Sequence, residues 1–163
     1  MKSLRFMLSV VVLMSLSMAA FAQSDAQKSF DKLKTLAGTW EGTFEGATLH
    51  VTLRVTSMGN AILHEMKGGG PDNPITMLYL DGDRLFLTHY CDAGNRPRMV
   101  GTISPDGKTI TFNFVDVTGS TQQGHMQSAV FSLIDGDHHT ETWNFAMADG
   151  KQMGGVLELK RDK

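Results

Sequence analysis

Beyond Gly38 the chain alternates short runs rich in Thr, Val, Ile and aromatic residues with Gly, Asp, Asn and Pro at close, regular spacing. This pattern predicts strands near 39–45, 47–56, 61–67, 74–80, 84–91, 97–103, 109–117, 126–134, 138–147 and 153–160. Most separators are tight turns, such as Asp81-Gly82-Asp83, Ser104-Pro105-Asp106-Gly107, Asp135-Gly136-Asp137 and Ala148-Asp149-Gly150, so neighbouring strands run antiparallel. A sandwich would need longer crossings between two sheets. The expected fold is therefore all-β: a single antiparallel up-and-down barrel of about ten strands, closed so that no edge is left open. One short N-terminal helix precedes it, with Ser24 and Gln27 at capping-box spacing and Phe30, Leu33 and Ala37 on one side.

Residues 1–22 follow another pattern. Lys2 and Arg5 precede an apolar run from Phe6 to Leu16, and Ala20-Phe21-Ala22 has the small-x-small form of a cleavage site. The run is short for a membrane span, and no Cys follows the cut to carry a lipid. The expectation is a cleavable signal peptide, 1–22, ahead of a barrel domain, 23–163, in a periplasmic or secreted protein. Lys2 and Arg5 leave with it, so 13 basic and 17 acidic groups remain and the net charge is -4. A mildly acidic domain has no electrostatic reason to hold nucleic acid or anionic lipid. The single Cys91 cannot form an internal disulfide, so stability must come from a core.

Alternation also assigns faces. Leu49, Val51, Leu53 and Val55 oppose His50 and Arg54, which should face solvent, and Ile110, Phe112 and Phe114 point inward. Symmetric pairing across Asp81-Gly82-Asp83 puts Ile75, Met77 and Tyr79 on one face with Leu85, Leu87, His89 and Cys91. In 138–147 the inward set is His139, Glu141, Trp143, Phe145 and Met147. The predicted interior site is therefore Met77, Tyr79, Leu87, His89, Cys91, Phe112, Glu141, Trp143 and Phe145.

Several of these residues carry chemistry. His89 and Cys91 could offer nitrogen and sulfur to a soft metal if His64, Met77, His139 or Glu141 converged on them; a bonded core imidazole and a buried inert thiol explain the pair more simply. Read as a thiolate-imidazole nucleophile, they lack oxyanion donors and an orienting third group. Glu65 and Glu141 could form an acid-base pair, and Arg96 and Arg98 could bind a ligand carboxylate at the barrel mouth. His138 and His139 are adjacent, so only one can point inward. Gly68-Gly69-Gly70 is followed by neither Lys-Ser/Thr nor a helix and is not a phosphate loop.

The segment Leu36-Ala37-Gly38-Thr39-Trp40-Glu41-Gly42 resembles the entry to the first strand of calycin-type barrels, the group that includes lipocalins and fatty-acid-binding proteins, and especially their ten-stranded nitrobindin-like branch. The resemblance implies that Gly38 makes the helix-to-strand bend, that Trp40 plugs the closed end, and that Lys160 or Arg161 stacks on it. It implies a binding barrel and no particular chemistry. Nitrobindin-like proteins hold haem through a His near the C-terminal end, whereas no His follows His139 here. Residues 87–99 are also reminiscent of secreted bacterial proteins of unknown function.

The expected function is an extracytoplasmic barrel holding a small, largely apolar molecule in its interior, as a monomer or homodimer, with binding expected rather than turnover and no cofactor. The alternatives are a haem- or metal-binding barrel, an enzyme using His89, Cys91 and Glu141, and a filled barrel acting only as an interaction module.

Overall fold

The computed structural model describes residues 23–162. The segment 1–22 read as a signal peptide lies outside them. Helix α1 (Asp25–Lys34) is followed by β1 (Gly38–Phe44), β2 (Ala47–Thr56), β3 (Ala61–Gly68), β4 (Ile75–Asp81), β5 (Arg84–Tyr90), β6 (Asn95–Ile103), β7 (Thr109–Gly119), β8 (His125–Leu133), β9 (His138–Ala146) and β10 (Gln152–Arg161). Each strand pairs with its sequence neighbours, and β1 pairs with β10 through Trp40–Arg161 and Glu41–Lys160, closing the barrel. All ten predicted strands are present, and the architecture is the expected one.

The two ends differ. The β1–β2, β3–β4, β5–β6, β7–β8 and β9–β10 connections gather at one end, and the start of β1, the end of β10 and the other turns lie at the opposite end. The Ser24 side chain accepts the Gln27 backbone N–H and caps α1 as its spacing predicts. The helix buries Phe30 and Leu33 and packs against β4, β5 and β6. Trp40 is fully buried next to it and donates its indole N–H to the Leu36 carbonyl at 2.8 Å.

Arg161 completes this end. Its guanidinium lies 4.0 Å from the centre of the Trp40 ring and donates to the carbonyls of Ala37, Thr35 and Gly136 at 2.9, 3.2 and 2.9 Å. Gly38 makes this possible. Its φ is 139°, and a Cβ there would sit 2.5 Å from an Arg161 nitrogen.

One predicted register is corrected. The β4–β5 hairpin turns on Gly82-Asp83 alone, with Asp81 paired to Arg84, so Leu78 opposes Leu87 and Thr76 opposes His89. Removing one residue from the turn reverses the face of every β4 side chain. Thr76, Leu78 and Leu80 face inward with Leu85, Leu87 and His89, whereas Ile75, Met77 and Tyr79 face outward with Phe86. Phe86 is nevertheless buried, stacked on Tyr79 and covered by the guanidiniums of Arg84 and Arg98.

Candidate functional site

The interior is packed at the helix end and open at the other. Alternation along β9 sends His139, Glu141 and Trp143 inward in succession, so the strand runs from the filled half into the open one. His139 stands edge-on to Trp40 with ring centres 4.2 Å apart. Above it lies Glu141, fully buried. One carboxylate oxygen accepts from His139 Nε2 at 3.1 Å; the other accepts from His64 Nε2 at 2.9 Å and from the Trp143 indole N–H at 3.0 Å.

Burial alone would raise the Glu141 carboxyl, but the two imidazoles outweigh it and hold its pKa down at about 2. Glu141 is therefore an anion whose acceptor capacity is spent on three inward side chains. Their rings continue the packing. Trp143 contacts His64 and His89, each at 5.5 Å between ring centres, and Phe131 at 5.8 Å. Both His64 Nδ1 and His139 Nδ1 are buried and unpartnered among the described residues.

Trp143 is the floor of a cavity of about 860 Å³ that opens at the loop end. Phe44, Leu49, Met66, Met126, Phe145 and Leu157 supply much of its apolar wall, and His89, Cys91, Asp72 and Asp92 supply polar groups. His89 is buried, only 3% exposed. Its Nδ1 is hydrogen-bonded to Thr76 Oγ1 at 2.9 Å, and its Nε2 has no protein partner among the described residues. Burial first, and then the nearby His64, hold the His89 pKa down at about 4, so the ring is neutral at pH 7. Burial also pushes the half-buried Cys91 thiol up, and that thiol hydrogen-bonds Asp92 at 3.5 Å. The pair is not an activated thiolate-imidazole dyad.

Of the residues predicted for the interior, His89, Cys91, Trp143 and Phe145 line the cavity. Leu87, Phe112 and Glu141 are inside but belong to the filled half. Met77 and Tyr79 are on the outer face, for the register reason given above. Glu65 does not join Glu141, because it alternates outward from His64 on β3. Arg98 is paired with Asp116 on the barrel's outside, with Nε 2.8 Å from the carboxylate, and Arg96 reaches Thr118, so neither lines the cavity. His138 turns out to Asp135 while His139 points in. The sequence reading left out Phe44, Leu49, Met66, Met126 and Leu157. Alternation places each on an inward face, but only the three-dimensional taper of the packing shows which inward residues remain uncovered.

Among the described residues, no group of three His, Cys, Asp or Glu side chains is arranged to hold a metal ion. His64, His139 and Glu141 do converge, but on one another. The haem ligand that the nitrobindin resemblance implies does not fit these residues either: His139 is fully buried against Trp40 with Nε2 on Glu141, and the one imidazole among the described residues lining the cavity is His89, on β5.

No protein-family model and no curated protein matches the chain. In three dimensions it is similar to Rv2717c from M. tuberculosis, with a TM-score of 0.59 and 15% identity over 83% of this chain and 98% of that one. It is also similar to a protein of unknown function of the DUF3598 family from Nostoc punctiforme, with a TM-score of 0.55 and 10% identity over 80% of this chain and 49% of that one. At these identities the likeness concerns the fold. The chain is thus a closed ten-stranded antiparallel barrel that resembles proteins of unknown function. Among the described residues no helix is long and apolar enough to cross a membrane.

Proposed function

We propose that this protein is an extracytoplasmic binding barrel of calycin type that holds one small, largely apolar molecule in the open half of its interior. The observation that carries the reading is the cavity: about 860 Å³, floored by Trp143, walled by Phe44, Leu49, Met66, Met126, Phe145 and Leu157, with one unpartnered imidazole nitrogen on His89. Pockets of this size, mostly apolar with few polar groups, suit a single small ligand. His89 Nε2 gives that ligand one directional contact. The export-signal pattern of residues 1–22 supports the location, and the Trp40–Arg161 stack supports the family likeness.

The test is a titration of the purified protein with decanol, a neutral apolar probe, followed by tryptophan fluorescence. Saturable quenching is expected, abolished in Leu49→Trp, which fills the cavity. Absence of saturable binding to the wild type, or unchanged binding to Leu49→Trp, overturns the reading.

A further inference from the structure

Resting on the cavity reading above, we infer that the ligand is cationic: an apolar body bearing an amine, whose ammonium group sits between His89 and the carboxylates of Asp72 and Asp92. Among the described residues that line the cavity are three with carboxylate side chains, Glu45, Asp72 and Asp92, and no Lys or Arg. The arginines best placed in the sequence to receive a carboxylate, Arg96 and Arg98, are turned outward and engaged by Thr118 and Asp116. An anionic head entering this mouth would meet only like charge. A low-dielectric wall behind a single-signed rim strengthens that discrimination.

The independent observation is His89. It is 3% exposed, lines the same cavity, and among the described residues has no partner at Nε2 while Thr76 holds Nδ1. Because Nδ1 is engaged by Thr76 Oγ1, Nε2 is the ring atom left to meet a ligand, and in the tautomer that carries its proton on Nδ1 it offers a lone pair, which an ammonium N–H can fill and a carboxylate cannot. Asp72 shows the same environment from its own side: burial first, and then the Asp92 charge, raise its carboxyl. A bound cation relieves that repulsion. Trp143, Phe44 and Phe145 add aromatic faces, which also favour a cation.

The experiment compares decylamine, decanol and decanoate, three probes with the same chain, by calorimetric titration of the wild-type protein at pH 7.5. The expected order is decylamine tightest, decanol about tenfold weaker and decanoate weaker again. Asp72→Asn with Asp92→Asn is expected to reduce decylamine affinity about tenfold, whereas Asp106→Asn, in the β6–β7 turn at the far end, leaves it unchanged. Thermal transitions of both variants confirm that they are folded, and Asp72→Glu with Asp92→Glu restores the preference. Equal affinity for decanol and decylamine, tighter binding of decanoate, or an amine preference that survives the double substitution overturns the inference while leaving the cavity reading standing. Failure of all three probes to bind overturns both.

Discussion

The indole N–H of Trp143 donates to the carboxylate of Glu141 at 3.0 Å, two residues back on the same inward face of β9. This bond joins the two halves of the barrel. Below it, Glu141 organises a packed core with His64 and His139; above it, the other face of Trp143 floors the cavity. Removing Glu141 strands three buried donors at once. Glu141→Ala is expected to lower stability by about 3–5 kcal/mol in urea denaturation at pH 7, and Glu141→Gln, which keeps an acceptor oxygen, by distinctly less.

Two buried groups with depressed pKa values, His89 and Glu141, shape the acid response. His89 is held down at about 4 from 6.5, so between those values the unfolded chain binds its proton and the folded one does not. The stability this group contributes is complete above pH 6.5 and is lost as pH falls towards 4, by about 3 kcal/mol in all. Glu141 has the same sign in a lower window, from 4.5 down to about 2. The stability difference between wild type and His89→Gln, followed by urea denaturation, should shift against the wild type between pH 7 and pH 4. A constant difference over that range would contradict the burial of an uncharged His89.

Closure rests on a cation. Arg161 covers the Trp40 ring and binds three backbone carbonyls from the helix exit and the β8–β9 turn. Arg161→Ala is expected to cost about 2 kcal/mol, lost from the ring contact and the charged hydrogen bonds together. Arg161→Lys should recover less than half, because an ammonium cannot reproduce the planar fork that reaches three acceptors.

The β4–β5 hairpin gives a test of register and shows where sequence reading stops. Leu78→Ala removes a fully buried side chain and should cost about 2–5 kcal/mol, whereas Met77→Ala, on the outer face, should cost less than about 1 kcal/mol. The ten strands were legible because period-two alternation and Gly-containing turns punctuate nearly the whole chain, and the capping of α1 was legible from Ser24 and Gln27. The inward set on β9 followed from the same alternation. The β4 face was not, since β4 carries apolar residues on both faces and a two-residue turn differs from a three-residue one by a single position. Phe86 compounds the ambiguity: it is buried on the outside of the barrel, under Tyr79, Arg84 and Arg98, by contacts between strands that no local pattern encodes.

The site was legible in part for a similar reason. Alternation placed His89 and Trp143 inside, but it treats all inward residues alike. Phe112 and Leu87 are inward and packed; Met66 and Met126 are inward and line open space. What separates them is height along the barrel axis relative to the plug built on Trp40, and that depends on strand tilt and stagger. The acidic rim comes from turn residues, whose direction alternation does not assign.

The central claim, a filled end beneath an open binding end, is tested most directly by the two indole N–H resonances of the protein in the presence of decanol. Trp143 floors the cavity and Trp40 lies in the plug at the filled end, each with its N–H hydrogen-bonded to the protein. Saturable displacement of the Trp143 resonance with Trp40 unmoved is the expected result; no displacement of Trp143, or equal displacement of both, would contradict the account.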